Sequence, residues 1–209
     1  FTAVNVAQPD FLKQVNTMLA GTSLADWKTY LRWHLVNSAA PYLSDPFVNE
    51  DFDFKGKTLT GSTELLPRWR RCVAQTDNSL GEALGQAYVD KNFSGEAKAK
   101  AKEMVQNLID ALHQDLTTLD WMTPATRAQA EVKLNAFARK IGYPDQWRDY
   151  SALSIDRGSY VQNILNANRF EFQRDLKKIG KPVDRNEWGM TPPTVNAYYN
   201  PSLNEIVFP

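Results

Sequence analysis

Apolar residues recur at intervals of three and four along most of the chain, and the recurrence stops after Pro182. A period near 3.6 puts such residues on one side of a helix, so the greater part of the chain has to be built from amphipathic helices. Phe11, Leu12, Val15, Met18 and Leu19 mark the first, with Gly21 as its C-terminal stop. Ser23 caps a second, which carries Asp26 in its first turn and Leu24, Trp27, Tyr30, Leu31, His34 and Leu35 along its stripe until Pro41. Between 45 and 66 the pattern weakens to one short helix and an irregular connection. From Pro67, suited to a first helical turn, it returns in Trp69, Cys72, Val73, Thr76, Leu80, Leu84, Ala87 and Tyr88. Gly81 and Gly85 interrupt this helix at a cost of about 1 kcal/mol each relative to alanine, which predicts close packing by another backbone.

The clearest helix begins after Asn92-Phe93-Ser94-Gly95 and aligns Met104, Val105, Leu108, Ile109, Leu112, Leu116 and Leu119. Thr123-Pro124 supplies a cap and a first-turn proline for the next, whose stripe of Ala130, Leu134, Phe137, Ala138 and Ile141 predicts a helix reaching Ile141. Gly142-Tyr143-Pro144-Asp145 breaks it, and a last helix is expected over about 159–178. Beyond Pro182 the chemistry changes: Thr194-Val195-Asn196-Ala197-Tyr198-Tyr199-Asn200 is rich in strand formers, Pro201-Ser202-Leu203-Asn204 in turn formers, and Glu205-Ile206-Val207-Phe208 reads as a second strand. The expected fold is mainly α, a multi-helix lobe over 1–185 followed by a linker and β-hairpin over 186–209.

The chain has 209 residues, with 24 Lys+Arg against 24 Asp+Glu, so it lacks the global positive field of a nucleic-acid binder. No window of 18 apolar residues exists to span a bilayer. Phe1-Thr2-Ala3 has no initiator Met and no signal pattern, which reads as a processed form or a piece of something longer. Cys72 is the only cysteine and lies on an apolar stripe, where it packs as a small hydrophobe. His34 and His113 are the only histidines and form no helical zinc motif. Asp110 and His113 share a helix face, a common surface pairing; His34 sits on an apolar stripe, as a partly buried core histidine would. Glu50, Asp51 and Asp53 lack the spacing of a calcium loop and read as a solvated face. No catalytic or metal-ligating residue is assigned within the chain. The hairpin is the exception to this plainness: at a sheet edge its free amides and carbonyls would pair with an extended peptide, and an asparagine would add side-chain hydrogen bonds.

Val195-Asn196-Ala197-Tyr198-Tyr199, followed by Asn204-Glu205-Ile206-Val207-Phe208-Pro209, resembles the Asn-Ala-Phe/Tyr-Tyr segment and following Ile-Val-Phe-Pro of the neprilysin family of zinc metallopeptidases, which includes endothelin-converting enzyme and bacterial PepO. Arg68-Trp69-Arg70-Arg71-Cys72, Gly85-Gln86-Ala87-Tyr88-Val89, Phe93-Ser94-Gly95-Glu96, Leu119-Asp120-Trp121-Met122, Ile141-Gly142-Tyr143-Pro144-Asp145 and Glu187-Trp188 resemble further family landmarks, in family order. The resemblance implies an endopeptidase with two mainly helical lobes around a cavity. Residues 1–185 would belong to the lobe that limits access, and the hairpin to the edge of the thermolysin-like catalytic lobe. It further implies that Asn196 binds the substrate backbone through its side chain and Ala197 through its main chain.

The same resemblance implies zinc as cofactor, held by a part of the enzyme absent from this chain. The family's His-Glu-x-x-His helix and third ligand follow the Ile-Val-Phe-Pro segment, and the sequence stops at Pro209. The chain is therefore expected to be inactive alone, a middle segment arising by nicking or by expression as a fragment. Its partners would be a second chain bearing His-Glu-x-x-His and peptide substrates. The family points to an exported or membrane-anchored protein, with some bacterial relatives cytoplasmic. The rival reading is a non-catalytic helical binding module that uses the hairpin for strand addition.

Overall fold

The computed structural model describes residues 4–209 and divides them into two compact units, one ending at Leu65 and one beginning at Leu66. Phe1, Thr2 and Ala3, which bear on processing, lie outside the described residues.

In the first unit, α1 (Pro9–Gly21) starts on a first-turn proline with Asp10 beside it, and α2 (Leu24–Ala39) starts on Ser23. The Ser23 hydroxyl accepts from the Asp26 amide at 3.1 Å and donates to the Asp26 carboxylate at 2.7 Å, closing the helix start from both sides. Pro41 turns the chain into a short 3₁₀ segment, and α3 (Asp45–Asp51) follows. The stretch expected to be irregular is instead a π-helix, Phe52–Leu59. Gly56 accommodates it: a Cβ there would sit 2.3 Å from the Phe52 ring, which lies back over the helix. Gly61, at φ 71°, ends the run in the left-handed conformation. Neither α1 nor α2 contains a buried residue, and Ala40 and Val48 form what core this unit has.

The second unit holds α4 (Arg68–Asn92), α5 (Gly95–Thr118), α6 (Pro124–Asn135) and α7 (Tyr160–Leu176) with a small sheet. Ser94, Thr123 and Ser159 cap the last three helices, each accepting from an amide three residues on. Pro67 stands at the cap of α4, just outside the first turn. Val89, Val105, Leu116, Ile141, Ile164, Ala167 and Val207 are buried, Val207 completely. Glu82 of α4 ties down the loop before α7, accepting from the Arg148 amide at 2.7 Å and pairing with its guanidinium, while the Glu82 amide donates to the Tyr150 hydroxyl.

The helix expected to reach Ile141 ends at Asn135, and Ala138–Ile141 is strand β1. β2 (Tyr198–Asn200) and β3 (Glu205–Phe208) form the expected hairpin, but the sheet order is β1-β3-β2. β3 is thus central, parallel to β1 with Ala138 opposite Glu205 and Ile141 opposite Phe208, and antiparallel to β2. Phe137, Ala138 and Ile141 satisfy a helical period, yet the backbone partners offered by β3 decide their conformation. Within β1, Arg139 is exposed and Ile141 buried, while the Lys140 side chain, only 10% exposed, lies beside the buried Glu205 at 2.8 Å. Gly142, at φ 83°, turns the chain out of the strand, and a Cβ there would meet the Phe93 ring at 2.7 Å.

Candidate peptide-binding edge

The first strand of the hairpin is shorter than its composition suggests. Only Tyr198–Asn200 pairs with β3, and Thr194 to Ala197 approach it through turns. The Thr194 amide donates to the Thr191 carbonyl at 3.0 Å, closing a turn around Pro192-Pro193, and the Asn196 amide donates to the Thr194 carbonyl at 3.1 Å. Two prolines in sequence cannot supply ladder amides, so regular pairing begins only beyond them.

The phase of the sheet fixes which groups reach the open side. The Ala138 amide donates to the Asn204 carbonyl at 2.9 Å, and the Gly142 amide to the Phe208 carbonyl at 2.7 Å, so the even-numbered residues of β3 face β1. Glu205 and Val207 then face β2, opposite Asn200 and Tyr198. Tyr199 lies between those two and aims its N–H and C=O away from β3, where no strand lies among the described residues. Ala197, two residues earlier, is the next position of the same phase. Val195, Asn196 and Ala197 are all exposed. The Asn196 side-chain oxygen accepts from the Ala197 amide at 2.8 Å, so this amide already has a partner that an incoming chain would replace. The expected residues Asn196 and Ala197 therefore lie side by side and open. The outward backbone of Tyr199 is the group that composition alone did not single out, since it follows only from the β1–β3 pairing.

Packing on the inner side holds this edge in place. The Tyr199 ring stacks on Phe137 with centroids 5.9 Å apart, and its hydroxyl donates to the Asn204 side chain at 3.0 Å. Asn204, at φ 49°, also donates to the Lys133 carbonyl at the end of α6. The Tyr198 hydroxyl accepts from the Gly189 amide at 3.0 Å. Lys140 donates to the Glu187 carbonyl at 2.7 Å as well as pairing with Glu205, fastening the linker to the sheet. Burial opposes ionisation of the Glu187 carboxyl, but hydrogen bonds from Lys178 and Arg174 outweigh it and hold the group below the ordinary glutamate value. Burial likewise opposes the charge on Arg174, and the Glu187 and Glu171 carboxylates more than offset it.

The remaining candidates lie elsewhere. His113 pairs with Glu131 of α6 at 2.9 Å, while Asp110 accepts from Gln106. His34 is exposed against Tyr30 and Trp33 and is not the partly buried histidine its stripe suggests, because α2 buries nothing. Asp51 and Asp53 pair with Lys55 and Lys57. Cys72 is a half-buried free thiol. Among the described residues no three His, Cys, Asp or Glu side chains converge as metal ligands, and no helix is long and apolar enough to cross a membrane.

A family model described as peptidase family M13 matches residues 1–144. The chain belongs to peptidase family M13. It is 37% identical to an endothelin-converting enzyme homolog of Locusta migratoria over 99% of its own length, and 33% identical to human endothelin-converting enzyme 1 over 98%. Among solved M13-like structures, the zinc metalloprotease Zmp1 of Mycobacterium tuberculosis in its open state superposes with a TM-score of 0.88 at 47% identity, covering 99% of this chain. PepO from Lactobacillus rhamnosis matches with a TM-score of 0.76 at 30% identity over 83% of the chain. The M13 chain described here spans 30% of the locust protein, 27% of the human enzyme and 32% of the Zmp1 chain.

Proposed function

We propose that this chain is the gating and substrate-edge portion of a zinc-dependent M13 endopeptidase that cleaves peptides inside an enclosed cavity. Residues 1–185 supply the lobe that restricts access, and 186–209 supply the strand along which an extended peptide lies. The observation that carries the reading is the outer edge of β2. An exposed asparagine and an exposed alanine lead into β2, and the outward backbone of Tyr199 follows on the side of that strand that no other strand covers among the described residues. A peptide docking there would accept and donate main-chain hydrogen bonds at Ala197 and Tyr199, with the Asn196 amide group released from its own neighbour to bind the substrate backbone. Residues 1–185 and the hairpin are not independent pieces in this scheme, because β1 comes from the first and pairs with β3 of the second.

In this reading the zinc and its His-Glu-x-x-His ligands are held by a different segment of the enzyme, covalent or associated. The Zmp1 and PepO likenesses and the fraction of each relative that this chain spans support that arrangement. An exported location belongs to the same proposal.

Asn196→Ala in the complete peptidase is expected to lower kcat/KM on peptides by a factor worth about 1–2 kcal/mol, the scale of one lost hydrogen bond with its partner left unpaired. An unchanged kcat/KM across several peptides would remove Asn196 from the binding edge. Mass spectrometry and metal analysis of the native material test the wider reading. A His-Glu-x-x-His segment with about one zinc per complex supports it. A lone 23.7 kDa species without zinc favours the non-catalytic binding module.

A further inference from the structure

Gly81 and Gly85 lie buried on α4, and the contact that requires their smallness is made by the segment leading to the peptide-binding edge. A Cβ on Gly81 would lie 2.3 Å from the Thr191 methyl carbon, and one on Gly85 would lie 2.6 Å from Pro192 Cδ. The two glycines thus form a notch one turn long that receives Thr191 and Pro192. α4 leaves helical geometry at Leu80 (φ −136°, ψ 31°), immediately before the notch. One turn earlier, the Asp77 carboxylate receives the Thr191 hydroxyl through both oxygens, at 2.8 and 3.1 Å.

A carboxylate only accepts and a hydroxyl carries one proton, so Thr191 donates to Asp77 and the Thr194 hydroxyl, 3.0 Å away, donates to Thr191. The Thr194 amide then returns to the Thr191 carbonyl, and the Asn196 amide to the Thr194 carbonyl. An unbroken run of hydrogen bonds therefore leads from a carboxylate on α4 to the backbone of Asn196.

We infer that Asp77 and Thr191, seated in the Gly81/Gly85 notch, are positioning residues for the edge, setting where the Asn196 and Ala197 groups stand relative to β2. This rests on the edge reading above. None of these four residues touches the substrate; they act through the turn at Pro192-Pro193. Since binding of the peptide backbone is what they align, their loss acts on KM before kcat.

The test uses the full-length peptidase carrying this chain and an internally quenched peptide substrate. Thr191→Val keeps a methyl toward Gly81 and deletes the hydroxyl; it is expected to raise KM about five- to tenfold with kcat held within about twofold. Gly81→Ala is expected to do the same by displacing Thr191. In the double variant Gly81→Ala/Thr191→Ser the added methyl takes the volume of the deleted one. The Thr191 Cβ at 3.4 Å and the Asp77 oxygen at 3.6 Å are then its nearest neighbours, so KM should return to within about twofold of the parent value.

Asn196→Ala measured alongside separates the two claims. If it leaves KM unchanged, the edge reading fails and the positioning role fails with it. If it raises KM while Thr191→Val and Gly81→Ala do not, the edge stands and the positioning role is refuted. A double variant that fails to recover KM, with kcat and melting temperature falling together, also refutes it, because general misfolding would then explain the single variants.

Discussion

Lys140 and Glu205 offer the sharpest test of how the hairpin is held. Their side chains are 10% and 3% exposed and 2.8 Å apart, on the same face of neighbouring strands, and Lys140 also donates to the Glu187 carbonyl. Lys140→Met removes the cation while roughly keeping its volume, leaving the Glu205 carboxylate buried without its counter-ion. Breaking a buried pair from one side costs about 3–5 kcal/mol, and the exposure here is too small for solvent to relieve it. For a protein of this size that corresponds to a melting temperature lower by roughly 10 °C. Lys140→Met/Glu205→Leu removes both charges, and the same reasoning predicts recovery of most of the loss, since apolar replacement of a buried pair is often close to neutral. Urea denaturation of the 209-residue chain followed by tryptophan fluorescence measures Lys140→Met, Glu205→Leu and the double variant. The inference fails if Lys140→Met costs less than about 1 kcal/mol, or if the double variant loses the sum of the two single losses, because either result means that the charges do not depend on each other.

Two further outcomes follow from the same region. Gly142→Ala forces a side chain onto a backbone at φ 83° and toward the Phe93 ring, and should cost at least about 1–2 kcal/mol in the same denaturation assay, with a smaller loss when Phe93→Leu makes room. The lowered carboxyl of Glu187 contributes stability that is complete above its unfolded value and is lost as pH falls through the lower folded one. Linker release, read from Trp188 fluorescence, should therefore set in below about pH 4.3 and lose its pH dependence in Glu187→Gln.

Signals confined to a few neighbouring residues were legible in the sequence. Ser23 and Thr123 cap the helices that their spacing predicts, because a cap needs only an oxygen placed three residues before a free amide. The hairpin was legible for the same reason, with Pro201 to Asn204 supplying the turn. β1 was not, since Ala138 to Ile141 become a strand only when Glu205 to Phe208 are laid beside them, and that partner lies beyond a whole helix. The pairing of Asn196 and Ala197 came from the family resemblance, whereas the outward phase of Tyr199 needed the register of β3. Gly81 and Gly85 announced a close approach, and the structure corrects its nature: the visitor is the side chains of Thr191 and Pro192.

The central place of β3 bears on the order in which this unit is assembled. β2 and β3 meet across a four-residue turn and can pair as soon as both have left the ribosome, whereas β1 must wait, with the whole of α7 synthesised in between, for the strand that completes it. Until then Lys140 has no counter-ion and the N–H and C=O groups of Ala138 to Ile141 stand open to any other extended chain nearby. Of the three strands described, the last to be made is thus the one that joins the other two, so proteolysis just upstream of Glu205 would leave β1 and β2 without the strand they share and the edges of both open.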